Sequence, residues 1–193
     1  MNDRTAMAVL VSGSGTTLQA LIDAIESGRL PLRIALVVSD RPGVAALERA
    51  RRHGIPTVVI DRRDGAVSQR INEVIPPTVS LVVLAGFLSI LADPLLSRYP
   101  RRIVNLHPAL LPKYGGAGMY GERVHKAVID AGESESGCTV HYVDEGTDTG
   151  EIVLQRRVPV FADDTPQRLR ARIGPVEREA LVEALLTILP DLR

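Results

Sequence analysis

Met7-Ala8-Val9-Leu10-Val11-Ser12-Gly13-Ser14-Gly15-Thr16-Thr17-Leu18 changes character twice within one short segment. Met7 to Val11 is apolar without alternation, as in a strand covered on both faces. Ser12 to Thr17 is a glycine-bearing loop. Beyond it Leu18, Leu21, Ile22 and Ile25 fall on one helical face, and Gly28 supplies a stop. Strand, glycine loop and helix make the arrangement that cradles phosphate: glycine lets backbone approach an anion, and the first helical turn points unpaired N–H groups at it. A dinucleotide fingerprint would need a third glycine where Leu18 stands, and a triphosphate loop would need a lysine. The loop therefore suits a single phosphate on a monophosphate ligand. A tight strand-to-helix turn would read the same way from Gly13 and Gly15 alone.

Downstream the pattern repeats. Leu32 to Val38, Thr57 to Ile60 and Leu81 to Ala85 read as strands. Val44 to His53 and Gly65 to Ile75 read as helices, stopped at Gly54 and at Pro76-Pro77. Alternating strands and helices predict an α/β, Rossmann-like fold: a mostly parallel twisted sheet with helices on both faces and right-handed crossovers. Ligands in such sheets bind beyond the carboxyl ends of the strands. Ser12–Gly15, Gly86-Phe87 and Asn105–His107 are all expected at those ends, sharing one cleft. Phe87 to Leu91 is apolar, fit either to pack under a helix or to line a pocket for a flat organic ligand.

Arg102-Ile103-Val104-Asn105-Leu106-His107-Pro108 begins as a β-branched strand, and no helix can start before Pro112. Asn105 and His107 share one face of an extended chain. That face offers an amide donor for a developing oxyanion and an imidazole that exchanges a proton near neutral pH. Capping a turn would use the same two residues. Lys113 to Gly121 is glycine-dense and reads as a gate or a loose connector. Glu122 to Ala131 is helical, and Cys138 to Val143 alternates as a strand in which His141 reads as structural. Asp144 to Gly150 is an acidic turn, a composition that turns favour for backbone reasons alone. Ile152 to Val160 is a strand. Thr165-Pro166 opens a helix that Gly174-Pro175 is expected to kink or restart.

The chain has 193 residues, enough for one domain or two intimate half-domains. Basic and acidic residues balance at 23 each, so no global field favours nucleic acid or an anionic membrane. Tryptophan is absent and aromatics make up 3%, which argues against a base-stacking surface. Cys138 is the sole cysteine, so neither an intrachain disulfide nor a cysteine-rich metal site is available. No apolar run approaches the ~20 residues that span a bilayer. Met1-Asn2-Asp3-Arg4 runs straight into the apolar stretch, and the expectation is a cytoplasmic protein without a secretory leader.

Together these segments resemble the folate-dependent formyltransferases, in particular the glycinamide ribonucleotide formyltransferases of purine biosynthesis. The likeness runs from about Val9 to about Leu189. It is carried by Ser12-Gly13-Ser14-Gly15 with Leu18-Gln19, Leu84-Ala85-Gly86-Phe87, Asn105-Leu106-His107-Pro108-Ala109-Leu110-Leu111-Pro112, Asp144 to Gly150, and Val158-Pro159-Val160.

The resemblance implies a single formyltransferase domain over 1–193. Its amino-terminal half would hold the ribonucleotide and its carboxyl-terminal half the folate. The catalytic residues would be Asn105, His107 and Asp148. Gly13, Ser14, Gly15, Thr16, Thr17 and Leu18 would hold the phosphate, and Glu177 would contact the glycinamide part. Arg63, Leu88, Ser89, Ile90, Leu91, Asn105, Asp144, Glu145, Gly146, Thr147 and Asp148 would form the folate side. The co-substrates would be 10-formyltetrahydrofolate and glycinamide ribonucleotide, with no metal, no nucleic acid and no membrane, in a monomer or homodimer. Asp148 is expected to raise the pKa of His107 and so favour imidazolium. Ser89 stands where an arginine is common, and Thr17 where an asparagine is frequent. The alternative reading is 10-formyltetrahydrofolate hydrolysis, with water as acceptor.

Overall fold

β1 (Thr5–Val11) is buried from Ala6 onward, as an apolar run without alternation requires of a central strand. The structure, a computed structural model, describes residues 5–192. Met1-Asn2-Asp3-Arg4, on which the reading of a missing leader rests, and Arg193 lie outside the described residues. The chain continues through α1 (Thr16–Glu26), β2 (Leu32–Ser39), α2 (Ala45–Arg52), β3 (Thr57–Val59), α3 (Val67–Val74) and β4 (Val79–Leu84). Then come α4 (Leu95–Arg98), β5 (Ile103–His107), α5 (Glu122–Asp130), β6 (Glu135–Tyr142), β7 (Ile152–Pro159) and α6 (Pro166–Ile188).

The strands form one seven-stranded sheet in the order β3-β2-β1-β4-β5-β6-β7. β1 lies parallel to both β2 and β4, and β2 parallel to β3, while β6 and β7 pair antiparallel. This is the mostly parallel α/β sheet that the alternation of elements predicts. From β1 the chain winds outward to β3 and returns to β4 on the opposite side of β1. The point between β1 and β4 is therefore a topological switch, where the loops leaving two neighbouring strands diverge. Ser12–Gly15 follows β1, and Gly86–Leu91 follows β4.

The chain divides into two compact units: the described chain outside Asn105–Leu185 is the first, and Asn105–Leu185 is the second. In the first, Met7, Leu10, Leu18, Leu21, Leu32, Leu47 and Leu81 are wholly buried. In the second, Val124, Val140, Leu169, Ile173 and Leu181 are. Each such side chain contributes roughly 1.5–3 kcal/mol relative to exposure.

The boundaries differ from expectation in two places. The helix expected from Gly65 starts at Val67, because Asp61 accepts from the Arg63 amide (3.0 Å) and caps a separate 3-10 turn over Arg62–Asp64. Of the kink or restart expected at Gly174-Pro175, the restart does not occur: α6 runs over 23 residues with Pro175 inside it. Leu169 and Ile173 are buried before the proline, and Ala180, Leu181 and Leu185 after it. Burial on both sides offsets the single backbone bond that proline cannot make. No helix among the described residues is long and apolar enough to cross a membrane.

Candidate active site

Asn105 and His107 end β5 in the second unit, and their shared face meets the turn between β6 and β7. Asp148 sits in that turn with φ at +60°, a left-handed conformation that carboxylate and amide side chains tolerate best. Its Oδ2 lies 3.4 Å from His107 Nδ1, and its Oδ1 accepts from Asn105 Nδ2 at 3.4 Å. The Gly116 amide donates to Asp148 Oδ2 at 3.0 Å. Asn105 and His107, neighbours on β5, thus converge with the distant Asp148, as the spacing of the first two and the resemblance led us to expect.

His107 is nearly sealed from solvent, at 3% exposure. Its Nε2 donates to the Tyr114 carbonyl at 2.8 Å, because a carbonyl can only accept. That leaves Nδ1 as the edge facing Asp148. The expected rise in the His107 pKa does not materialise. Burial pushes it below the ordinary histidine value, more strongly than Asp148 and the Tyr114 carbonyl push it up. At Asp148 the neighbouring groups outweigh burial. Burial would raise the carboxyl, but the His141 hydrogen bond, the nearby His107 and the Gly116 amide together hold it below the usual range. Asp148 is accordingly a carboxylate beside a ring that burial keeps neutral.

Sequence reasoning left His141 out of the site. It is 2% exposed, with Nε2 3.2 Å from Asn105 Nδ2 and 3.5 Å from Asp148 Oδ1. Its Nδ1 donates to the Tyr142 carbonyl at 2.8 Å, which leaves Nε2 as the edge turned toward Asn105 and Asp148. The signal that could have found it was its place on the same strand face as Thr139, which bonds the Ala109 carbonyl and the Leu111 amide just past β5. The start of the glycine-dense loop is also part of the cluster. Tyr114 and Gly116 hold His107 and Asp148 through their backbones, and the Tyr114 hydroxyl donates to Glu133 at 2.8 Å. A β-carbon on Gly115 would stand 2.5 Å from Leu111 Cδ2 and 3.2 Å from Asp148 Cβ, so a larger residue there would have to displace the Leu111 side chain and crowd Asp148.

In the first unit the glycine loop and the Phe87–Leu91 segment meet. Ser12 accepts the Leu88 amide on its hydroxyl (2.8 Å) and donates its own amide to the Gly86 carbonyl (3.2 Å). Ser89 donates to Asp40 Oδ2 at 2.7 Å. Phe87 and Leu91 are buried, whereas Leu88 and Ile90 are exposed at 42% and 68%. Two apolar side chains thus anchor the segment, and two face outward. Gly15 stands at the N-cap of α1, with φ at +73° and no side-chain cap. A β-carbon there would collide with Ala46 at 2.7 Å.

Other residues named from the sequence have local roles. Asp144 Oδ1 accepts from the Gly146 amide (3.0 Å) and the Thr149 hydroxyl (2.7 Å), which shapes the turn carrying Glu145, Thr147 and Asp148. Arg63 folds back on Asp61, with Nε to Oδ1 at 3.0 Å, and its side chain is largely exposed. Glu177, on α6, is partly buried. Burial raises its carboxyl to about 7 against the pull of Arg178 and Arg170. Cys138 is pushed up to about 12 by burial and by Glu177, which makes it an inert thiol.

A formyl transferase family profile matches residues 5–185. The chain is 43% identical over 189 residues to the trifunctional purine biosynthetic protein adenosine-3 of Drosophila melanogaster, covering 94% of this chain and 14% of that protein. It thus spans only a small part of these trifunctional relatives. It is 40% identical over 171 residues to the phosphoribosylglycinamide formyltransferase of Haemophilus influenzae, covering 86% of this chain and 78% of that protein. Among solved structures, glycinamide ribonucleotide transformylase 1 from Geobacillus kaustophilus superposes with a TM-score of 0.87 at 39% identity, covering 96% and 99% of the two chains.

Proposed function

The chain belongs to the formyl transferase family, and on that premise we propose that it moves the formyl group of 10-formyltetrahydrofolate onto the primary amine of glycinamide ribonucleotide. The products are tetrahydrofolate and formylglycinamide ribonucleotide. The observation that carries this reading is the convergence of Asn105, His107 and Asp148, an amide donor and an imidazole about one carboxylate. The names of the relatives favour the same substrates.

The amine attacks as a free base. Its lone pair forms a bond to the formyl carbon, whose C=O electrons move onto oxygen. Asn105 donates to that oxygen, a contact of a kind worth about 2.7–4 kcal/mol in the barrier. Asp148, held as carboxylate, takes the proton that the nitrogen sheds. Burial keeps His107 neutral at rest. An oxyanion arriving beside Asp148 adds negative charge and shifts the ring toward imidazolium, which stabilises the tetrahedral species. On collapse the oxyanion electrons re-form the C=O bond, the bond to N10 breaks with its electron pair going to nitrogen, and N10 takes up the proton that Asp148 removed from the amine.

Gly13, Ser14, Gly15, Thr16, Thr17 and Leu18 bind the phosphate through backbone N–H groups, turning binding energy into orientation. Glu177 contacts the glycinamide part. Leu88 to Leu91, Asp144 to Asp148 and Arg63 contact the folate. Water in place of the amine would make the same residues a hydrolase. Mass spectrometry of a reaction containing both substrates tests the assignment. A formyl group on the glycinamide amine is the expected result, and an unmodified acceptor beside consumed folate would refute it.

A further inference from the structure

Arg49 is not among the residues assigned above, yet it is fastened to the glycine loop. It sits on α2, with Nε donating to the Ser14 carbonyl at 2.9 Å and Nη1 to Gln19 Oε1 at 3.4 Å. Its Cδ would lie 3.2 Å from a β-carbon on Gly15, so the guanidinium runs alongside the loop itself. Gln19 is held in turn. Its amide nitrogen donates to Asp23 Oδ1 at 2.9 Å and lies 3.2 Å from His53 Nε2, while His53 Nδ1 lies 2.7 Å from Glu26. This chain of contacts turns the Gln19 oxygen toward Arg49.

Among the described residues no carboxylate compensates the charge of Arg49. Arg51 and Arg52, on the same helix, both pair with Glu48. Among the described residues Arg49 forms no ion pair, and its Nη2 takes part in no hydrogen bond. A half-buried guanidinium is thus pinned by two neutral acceptors next to uncapped N–H groups of a helix start. Arginine presents a planar set of donors suited to phosphate oxygens, and here Nε and Nη1 are engaged in positioning while Nη2 is left to meet a ligand.

We propose that Arg49 is a further phosphate-binding residue, supplying the cationic wall of the ribonucleotide subsite, and that Gln19 positions it. The inference rests on the reading of Gly13 to Leu18 as a phosphate loop. It assigns a role to Gln19, which the resemblance singles out and the chemistry above does not use.

The test compares wild type, Arg49→Gln and Arg49→Lys on two acceptors, glycinamide ribonucleotide and its dephosphorylated riboside. Inorganic phosphate serves as a competing ligand. Arg49→Gln is expected to lower kcat/KM for the ribonucleotide roughly 10- to 100-fold and to weaken inhibition by phosphate by a similar factor. Values for the riboside and the KM for folate stay at wild-type level. Arg49→Lys falls between, because an ammonium cannot hold Ser14 and phosphate with one rigid fork. Equal losses on both acceptors would show a purely structural staple, and no loss on either would show no role. Both outcomes overturn the proposal. If wild type formylates neither acceptor, the assigned reaction falls instead. Phosphate-induced thermal stabilisation, present in wild type and lost in Arg49→Gln, then judges Arg49 by itself.

Discussion

Asp148 is touched from several sides: by the Asn105 amide, by the Gly116 backbone, and by two imidazoles at 3.4 and 3.5 Å. Its left-handed backbone is one that asparagine adopts with little penalty, so Asp148→Asn removes the charge while sparing the turn. Turnover is expected to fall roughly 100- to 10,000-fold, the range typical of a lost proton acceptor. His107→Ala should fall similarly. Equilibrium binding of glycinamide ribonucleotide should stay within a few-fold of wild type in both. Near-normal kcat in either variant would remove that residue from the chemistry. The pairing of Asn105 with His107 was legible as spacing in a strand. Their meeting with Asp148 was legible only through resemblance, because an acidic turn says nothing about which strand end it faces. His141 was missed for a related reason: its partners are Asn105 on β5 and Asp148 in the β6–β7 turn, and strand alternation points to neither.

At the scale of elements, periodicity located almost every strand and helix to within a few residues. The departures came where side chains competed with backbone rules. Asp61 captured a turn ahead of α3, and apolar burial carried α6 across Pro175. α6 also holds Glu177, whose carboxyl burial raises to about 7 from an ordinary 4.5. Between those pH values the folded protein holds the proton more tightly than the unfolded chain does. The stability this group contributes is therefore complete below pH 4.5 and is lost as pH rises to about 7. Glu177→Gln keeps a neutral group there at every pH. Its melting temperature should exceed that of wild type at pH 8, and the difference should vanish near pH 4.5. A variant melting at or below wild type at pH 8 would contradict the burial argument. The same substitution should raise KM for the acceptor, a gain in stability set against function.

At the scale of the molecule, the alternation of apolar runs with helical stripes was enough to predict a mostly parallel α/β sheet, and the order β3-β2-β1-β4-β5-β6-β7 has that character. What patterning did not disclose is the antiparallel β6–β7 pair and the division at Asn105 into two units. Both depend on tertiary pairing rather than local period. The protonation balance was also out of reach. From sequence, the carboxylate near His107 argued for a raised pKa; the burial of the ring in the folded chain reverses that direction. The central claim is that this chain delivers a formyl group to an amine. Following tetrahydrofolate release from 10-formyltetrahydrofolate, with and without glycinamide ribonucleotide, tests it directly. Release that depends on the amine and matches it mole for mole is predicted; release at the same rate in its absence would mean that water is the acceptor and would contradict the account.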